Sequence, residues 1–248
     1  MSKIYTIGNT HFDPVWLWTW DEAMSSIRAT FRSALDRMKE DENFIYSFSC
    51  PPVFEWIKKV DPETFEEIRR RVKEGRWDLC EGWWVQADCY SASGESYVRQ
   101  GLYGQEYLRE NFGKYATCAF NVDSFGHSPM LPQILKKSGI KNYCFVRPEK
   151  KHLKLSAPLF KWKSADGSSV SAYRVEKGWE KDLKSVISER LMNKENSLLV
   201  YGVTDHGGAP TKEAIKTING VKEAEFSTVE RFFAKNKPTV TITKELCT

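Results

Sequence analysis

Apolar residues along the chain fall into short runs: IYTIG (4–8), FIYSFS (44–49), WDLCEGWW (77–84), TCAFNV (117–122), NYCFV (142–146) and LLVYGV (198–203). Several are apolar at successive positions rather than alternating. Strands covered on both faces read this way, and such strands belong to parallel sheets. Between the runs the spacing predicts helices. Residues 21–41 place Ile27, Phe31, Ala34, Leu35 and Met38 on one face. Residues 61–74 begin Asp-Pro-Glu, an N-cap with Pro at the first helical position, and stop at Gly75. Residues 95–111, with Val98, Leu102, Tyr107 and Leu108 among polar neighbours, also read as helix, as do 131–138, 179–192 and 228–235. Ser227 and Glu230 have capping-box spacing at the start of the last one.

Strand and helix alternate in the order of a wound parallel sheet or barrel, an α/β class fold. One departure is LFKWKSADGSSVSAYRV (159–175), where Asp166-Gly167 between two alternating runs predicts a hairpin. The C-terminal TVTITKELCT reads as a strand or extended segment. No internal repeat, Gly/Ser linker or domain boundary is visible, so residues 1–248 are expected to form a single domain.

Composition narrows the class. Hydrophobic residues are 41% and charged residues 28% of the 248, with nine Trp, which excludes intrinsic disorder and low-complexity sequence. The net charge of +4 is spread without a basic block, so no nucleic-acid partner is expected. The N-terminus shows no signal peptide, and no run approaches the ~18 apolar residues of a membrane span. The six Cys show no CxxC; four sit in or beside apolar runs and read as buried free thiols, which suits a reducing, cytoplasmic protein. The sequence leaves homo-oligomer formation open.

Sites in parallel α/β folds form at the carboxyl ends of strands, so the polar residues that follow each run carry the chemistry. Asn9-Thr10-His11-Phe12-Asp13 follows the first run, and Val85-Gln86-Ala87-Asp88 follows the third. Asp123-Ser124-Phe125-Gly126-His127 follows TCAFNV, and Thr204-Asp205-His206-Gly207-Gly208 follows LLVYGV. His11-x-Asp13 puts an imidazole and a carboxylate on one side of an extended segment, which suits a divalent metal, zinc first. Standing alone, such a pair is more often a histidine hydrogen-bonded to its aspartate. Asp123 strengthens the metal reading, because a His-Asp-Asp set leaves an open coordination position.

Asp123 and Asp205, on different strand ends, are also the paired carboxylates that glycoside cleavage needs. The competing reading of Asp205 is a helix N-cap or turn residue. His127 reads as a supporting histidine satisfied by its neighbours, His206 stays open, and His152 in KKHLK is a solvated loop residue. Trp16, Trp18, Trp20, Trp83 and Trp84 crowd the same strand ends. Most tryptophans are core, but an indole also stacks on the apolar face of a sugar. The charge-rich stretches KKVDPETFEEIRRRVKEGR and RPEKKHLK read as solvated faces.

The segments HFDPVW (11–16), KEGRW (73–77), EGWWVQADCYSASGESYVRQ (81–100), NVDSFGHSPMLPQIL (121–135) and VYGVTDHGGAP (200–210) together resemble the N-terminal catalytic domain of family-38 glycoside hydrolases, the α-mannosidases. The similarity runs over nearly the whole chain, in the family's order. It implies a seven-stranded parallel β/α barrel, one zinc ion and retaining hydrolysis of terminal α-mannosidic bonds in mannose-containing oligosaccharides or glycosides. Carried over by position, His11, Asp13 and Asp123 are metal ligands, and Asp123 is also the nucleophile. Trp16 stacks under the mannose with Phe125 beside it, and Asp205 is the best match for the acid/base.

Two departures qualify the resemblance. The family's three-helix and β domains lie beyond the barrel, and its fourth zinc ligand is a downstream His, whereas no His follows His206 here. The expectation is a catalytic domain truncated relative to the family, holding metal weakly. Thr204 and Ala209 stand at positions that are Gly in many bacterial relatives. Two alternatives are a metal-dependent carbohydrate deacetylase, against which stands the lack of a closely spaced HxxxH pair, and a non-catalytic sugar-binding remnant of a longer hydrolase.

Overall fold

The continuous apolar runs become buried parallel strands in a computed structural model that describes residues 2–176, 178–179, 182–203 and 205–247. The first part of the chain forms β1 (Ile4–Thr10), α1 (Trp20–Glu40), β2 (Tyr46–Ser47), α2 (Pro51–Val60), α3 (Pro62–Lys73) and β3 (Trp77–Asp78). Then come α4 (Gly94–Phe112), β4 (Cys118–Asn121), β5 (Gly126–His127), α5 (Leu131–Lys137), β6 (Asn142–Phe145), β7 (Leu159–Lys163) and β8 (Ser169–Arg174). The last part forms α6 (Leu183–Met192), β9 (Ser197–Val203), α7 (Lys212–Asn219), β10 (Ala224–Phe226), α8 (Val229–Lys235), β11 (Thr241–Ile242) and β12 (Leu246–Cys247).

These elements divide into two compact units. The first comprises residues Met1–Phe48, Pro52–Asp78 and Lys177–Thr228, and the second Ser49–Pro51, Leu79–Glu176 and Val229–Thr248. The chain passes back and forth between them, which is why no linker marks a boundary in the sequence.

In the first unit β1 is the centre of a parallel sheet. It pairs with β9 along its whole length, Ile4 with Ser197 through to Thr10 with Val203. Its other edge is shared by β10 and then β2, with β3 beyond β2. All seven residues of β1 are buried, as the unbroken apolar pattern requires. Phe31 of α1 meets Phe48, Phe54 and Trp77 at ring-centroid distances of 5.0–5.9 Å, and Trp77 Nε1 donates to Phe48 O. This aromatic packing fixes α1 on the sheet, with Thr19 as its N-cap. At α3, Asp61 caps Thr64 N and Pro62 opens the helix, as its sequence predicts.

The second unit holds a five-stranded sheet in the order β11-β7-β8-β6-β4. β4, β6 and β8 run parallel, and β7 and β8 form the antiparallel hairpin expected around Asp166-Gly167, where Gly167 has φ +89°. β12 pairs antiparallel with β5. Tyr143, Phe145 and Trp162 build its core around the ring of His127. Neither five-stranded sheet closes on itself among the described residues.

The differences from the expected elements are local. The runs 44–49 and 77–84 yield only the two-residue strands β2 and β3. α2 and α7 are additional; α2 opens on Pro-Pro and α7 on an N-cap Thr211 that accepts from Ala214 N. The helix expected at 179–192 starts at Leu183, and residues 180–181 lie outside the described residues. At α8, Glu230 accepts from Thr117 Oγ1 and the Ser227 N–H goes to Thr6 O, so their carboxylate–amide reciprocity is not made. No described helix is long and apolar enough to cross a membrane. Five of the six Cys are buried.

Candidate functional site

The pairing of β1 with β9 brings the two polar segments that follow them side by side in the first unit. Asp13 N donates to Asp205 O (3.0 Å), Phe12 and His206 form an antiparallel bridge, and Thr10 Oγ1 donates to Gly208 O (2.8 Å). Asp205 adopts φ +68°, which turns the backbone sharply at the strand end. The next helix starts seven residues later behind its own cap, Thr211, so Asp205 is no helix N-cap. Backbone hydrogen bonding thus holds the loop, leaving the carboxylate for other work.

The outcome is a cluster: ligand atoms of His11, Asp13 and Asp205 all lie within 4.8 Å of one another. His11 Nε2 stands 3.4 Å from Asp13 Oδ1, yet it is buried and makes no hydrogen bond. A hydrogen-bonded His-Asp pair would satisfy that nitrogen. Instead the spacing matches two ligands on one ion, since tetrahedral bonds of ~2.0–2.1 Å put ligand atoms about 3.3–3.4 Å apart. One imidazole and two carboxylates suit a divalent cation of borderline softness. Asp205 joins this cluster, a position its sequence reading as acid/base did not assign. The signal was the shared polar-His pattern after two runs that turn out to be neighbouring strands.

His206 is not part of the cluster. Its ring packs on Trp18 (centroids 4.3 Å apart), Nε2 faces Glu22 Oε1 at 3.5 Å, and Ser26 Oγ donates to its carbonyl. Trp18 Nε1 donates to Asp13 O (2.9 Å) and its ring meets Trp16 edge-on, leaving Trp16 59% exposed beside the cluster.

In the second unit Asp123 follows β4. Arg147 Nε stands 2.8 Å from its Oδ1, and the same guanidinium lies 5.1 Å from the centre of the Phe125 ring. Gln86 Oε1 accepts from Val122 N and Asp123 N while its Nε2 donates to Phe120 O, pinning the backbone of the strand end. Phe125 is exposed. RPEKKHLK therefore holds more than a solvated face. Arg147 directly follows the apolar run at β6, so the strand-end criterion points to it. His152 is exposed, as expected.

His127 is fully buried. Its Nε2 bonds Arg147 O (2.7 Å) and its Nδ1 bonds the Tyr143 hydroxyl (2.8 Å). A carbonyl can only accept, so Nε2 carries the proton and Nδ1 accepts from Tyr143. Burial pushes its pKa down to about 4, consistent with this neutral form. The supporting role read from the sequence is the one observed. Glu81, also buried, is pushed up to about 8 by desolvation, partly offset by a hydrogen bond from the Ser49 backbone.

The model of the glycosyl hydrolases family 38 N-terminal domain matches residues 1–248. The chain belongs to this family. Alpha-mannosidase G of Dictyostelium discoideum is 31% identical, over 96% of the family-38 chain and 23% of that protein. Alpha-mannosidase 2C1 of Homo sapiens is 29% identical, over 93% and 24%. The chain thus spans about a quarter of the length of these relatives. Among solved structures, an alpha-mannosidase from Enterococcus faecalis V583 superposes with a TM-score of 0.81 at 19% identity, covering 99% of this chain and 31% of the other. At that identity the likeness speaks for the fold.

Proposed function

We propose that this family-38 domain is the catalytic region of a zinc-dependent, retaining α-mannosidase that cuts terminal α-mannosidic bonds in mannose-containing oligosaccharides or glycosides. The cluster of His11, Asp13 and Asp205, with its bare buried imidazole nitrogen, is the observation that supports it most. In this reading residues 1–248 are one catalytic domain whose strands belong to a seven-stranded β/α barrel. Its six thiols fit a reducing, cytoplasmic compartment.

By the family resemblance His11, Asp13 and Asp123 would hold the ion. Zinc would supply Lewis-acid binding of vicinal sugar hydroxyls. Asp123 attacks the anomeric carbon as the bond to the leaving oxygen breaks. Arg147 Nε on Oδ1 fixes the direction of that carboxylate. Asp205 gives its proton to the leaving oxygen, then takes one from the water that releases mannose. Trp16 offers its exposed indole face to the apolar side of the ring, and Phe125 stands beside it. The test is proton NMR of an aryl α-mannoside during turnover by the full-length protein. The first mannose formed is expected to be the α anomer; β-mannose appearing first contradicts a double displacement.

A further inference from the structure

Glu22 stands in the first turn of α1, third after the N-cap Thr19 in the sequence Thr-Trp-Asp-Glu. A glutamate at that position ordinarily turns back to the cap's own N–H. Here its carboxylate lies 3.5 Å from His206 Nε2 without a hydrogen bond between them, and its side chain is 58% exposed. His206 cannot swing freely: its backbone bridges to Phe12 and takes the Ser26 hydroxyl, and its ring lies against Trp18. Trp18 is anchored in turn to Asp13 O. An exposed carboxylate beside an imidazole and indole wall therefore adjoins the metal cluster, on the side of Asp205.

We propose that Glu22, beside His206, is the polar half of a leaving-group subsite that takes a hexosyl aglycone. The inference rests on the mannosidase reading and deepens it. The leaving oxygen must lie against the acid/base, Asp205. The next residue, His206, and the carboxylate beside it are the first groups a sugar on that oxygen meets. A carboxylate with two free lone-pair directions accepts from neighbouring hydroxyls, and the adjoining aromatic wall covers apolar C–H faces. A planar nitrophenyl group has no hydroxyl to offer, so it gains nothing from Glu22.

The experiment compares kcat/KM on α-linked mannobioses with that on p-nitrophenyl α-mannoside, for the full-length wild type, Glu22→Gln and His206→Gln. The disaccharide-to-aryl ratio is expected to fall about tenfold or more in Glu22→Gln, the scale of one hydrogen bond to a charged group. A smaller fall in the same direction is expected in His206→Gln. An active wild type whose ratio is unchanged in Glu22→Gln overturns the subsite and leaves the mannosidase reading intact. A folded wild type inactive on both substrates overturns that reading, and the subsite with it.

Discussion

Arg147 Nε lies 2.8 Å from Asp123 Oδ1, and the carbonyl of the same arginine accepts from the buried ring of His127. One residue thus links a rigid aromatic core to the carboxylate proposed as nucleophile. A planar guanidinium fixes direction as well as charge, which an ammonium does not.

Arg147→Met should lower kcat on an aryl α-mannoside by about tenfold to a hundredfold, the scale of one lost hydrogen bond between charged partners. Arg147→Lys should recover only part of it. Steady-state kinetics decide the matter: equal kcat in all three proteins would make the ion pair a surface feature.

Asp205 is close enough to His11 and Asp13 to ligate, yet its proposed duty is proton transfer. Asp205→Ala should retain bound metal and slow glycosides with poor leaving groups far more than activated aryl ones. Elemental analysis alongside kinetics separates the two duties. Loss of the ion with uniform loss of rate would assign Asp205 to the metal.

Gly202 pairs with Asn9 in the ladder that aligns the two polar segments, at φ +142°. A Cβ there would meet Asn9 O at 1.9 Å, so Gly202→Ala must push β9 from β1. A destabilisation of about 3 kcal/mol or more is expected from strain and overlap together. Chemical denaturation should show it, and any folded remainder should bind metal poorly.

Glu81 ties stability to pH. Burial raises its pKa from 4.5 to about 8, so the folded chain binds more protons than the unfolded one between those values. Its contribution is complete below about pH 4.5 and is lost as pH rises through about 8. His127 acts oppositely: lowered from 6.5 to about 4, it costs stability as pH falls through that window. Where the windows overlap the two offset, and from about pH 6.5 to 8 the Glu81 loss stands alone. Glu81→Gln should abolish that decline in denaturation free energy; an unchanged decline would show that Glu81 ionises freely.

The buried parallel strands and the capped helices α1 and α3 were legible because period and cap chemistry agree with burial. So were the Asp166-Gly167 hairpin and the supporting role of His127. Short β10 was not, nor was the shortness of β2 and β3, since the extent of two- or three-residue strands is set by neighbours rather than by local pattern. The adjacency of Asp205 to His11 was hidden for a similar reason. It depends on β9 lying beside β1 across 193 residues of chain, Ile4 against Ser197, which spacing along the sequence does not encode. Arg147 was obscured by its charged surroundings, although it directly follows an apolar run.

The central claim is that the His11–Asp13 segment works through a bound metal. The direct test is aryl α-mannoside turnover by the full-length protein, stripped with a chelator and titrated with zinc, beside His11→Ala. Turnover should vanish on stripping, return with about one zinc per chain as a single catalytic site requires, and stay absent in His11→Ala with its fold intact. Turnover that survives stripping, or zinc rescue that His11→Ala shares, would contradict the account.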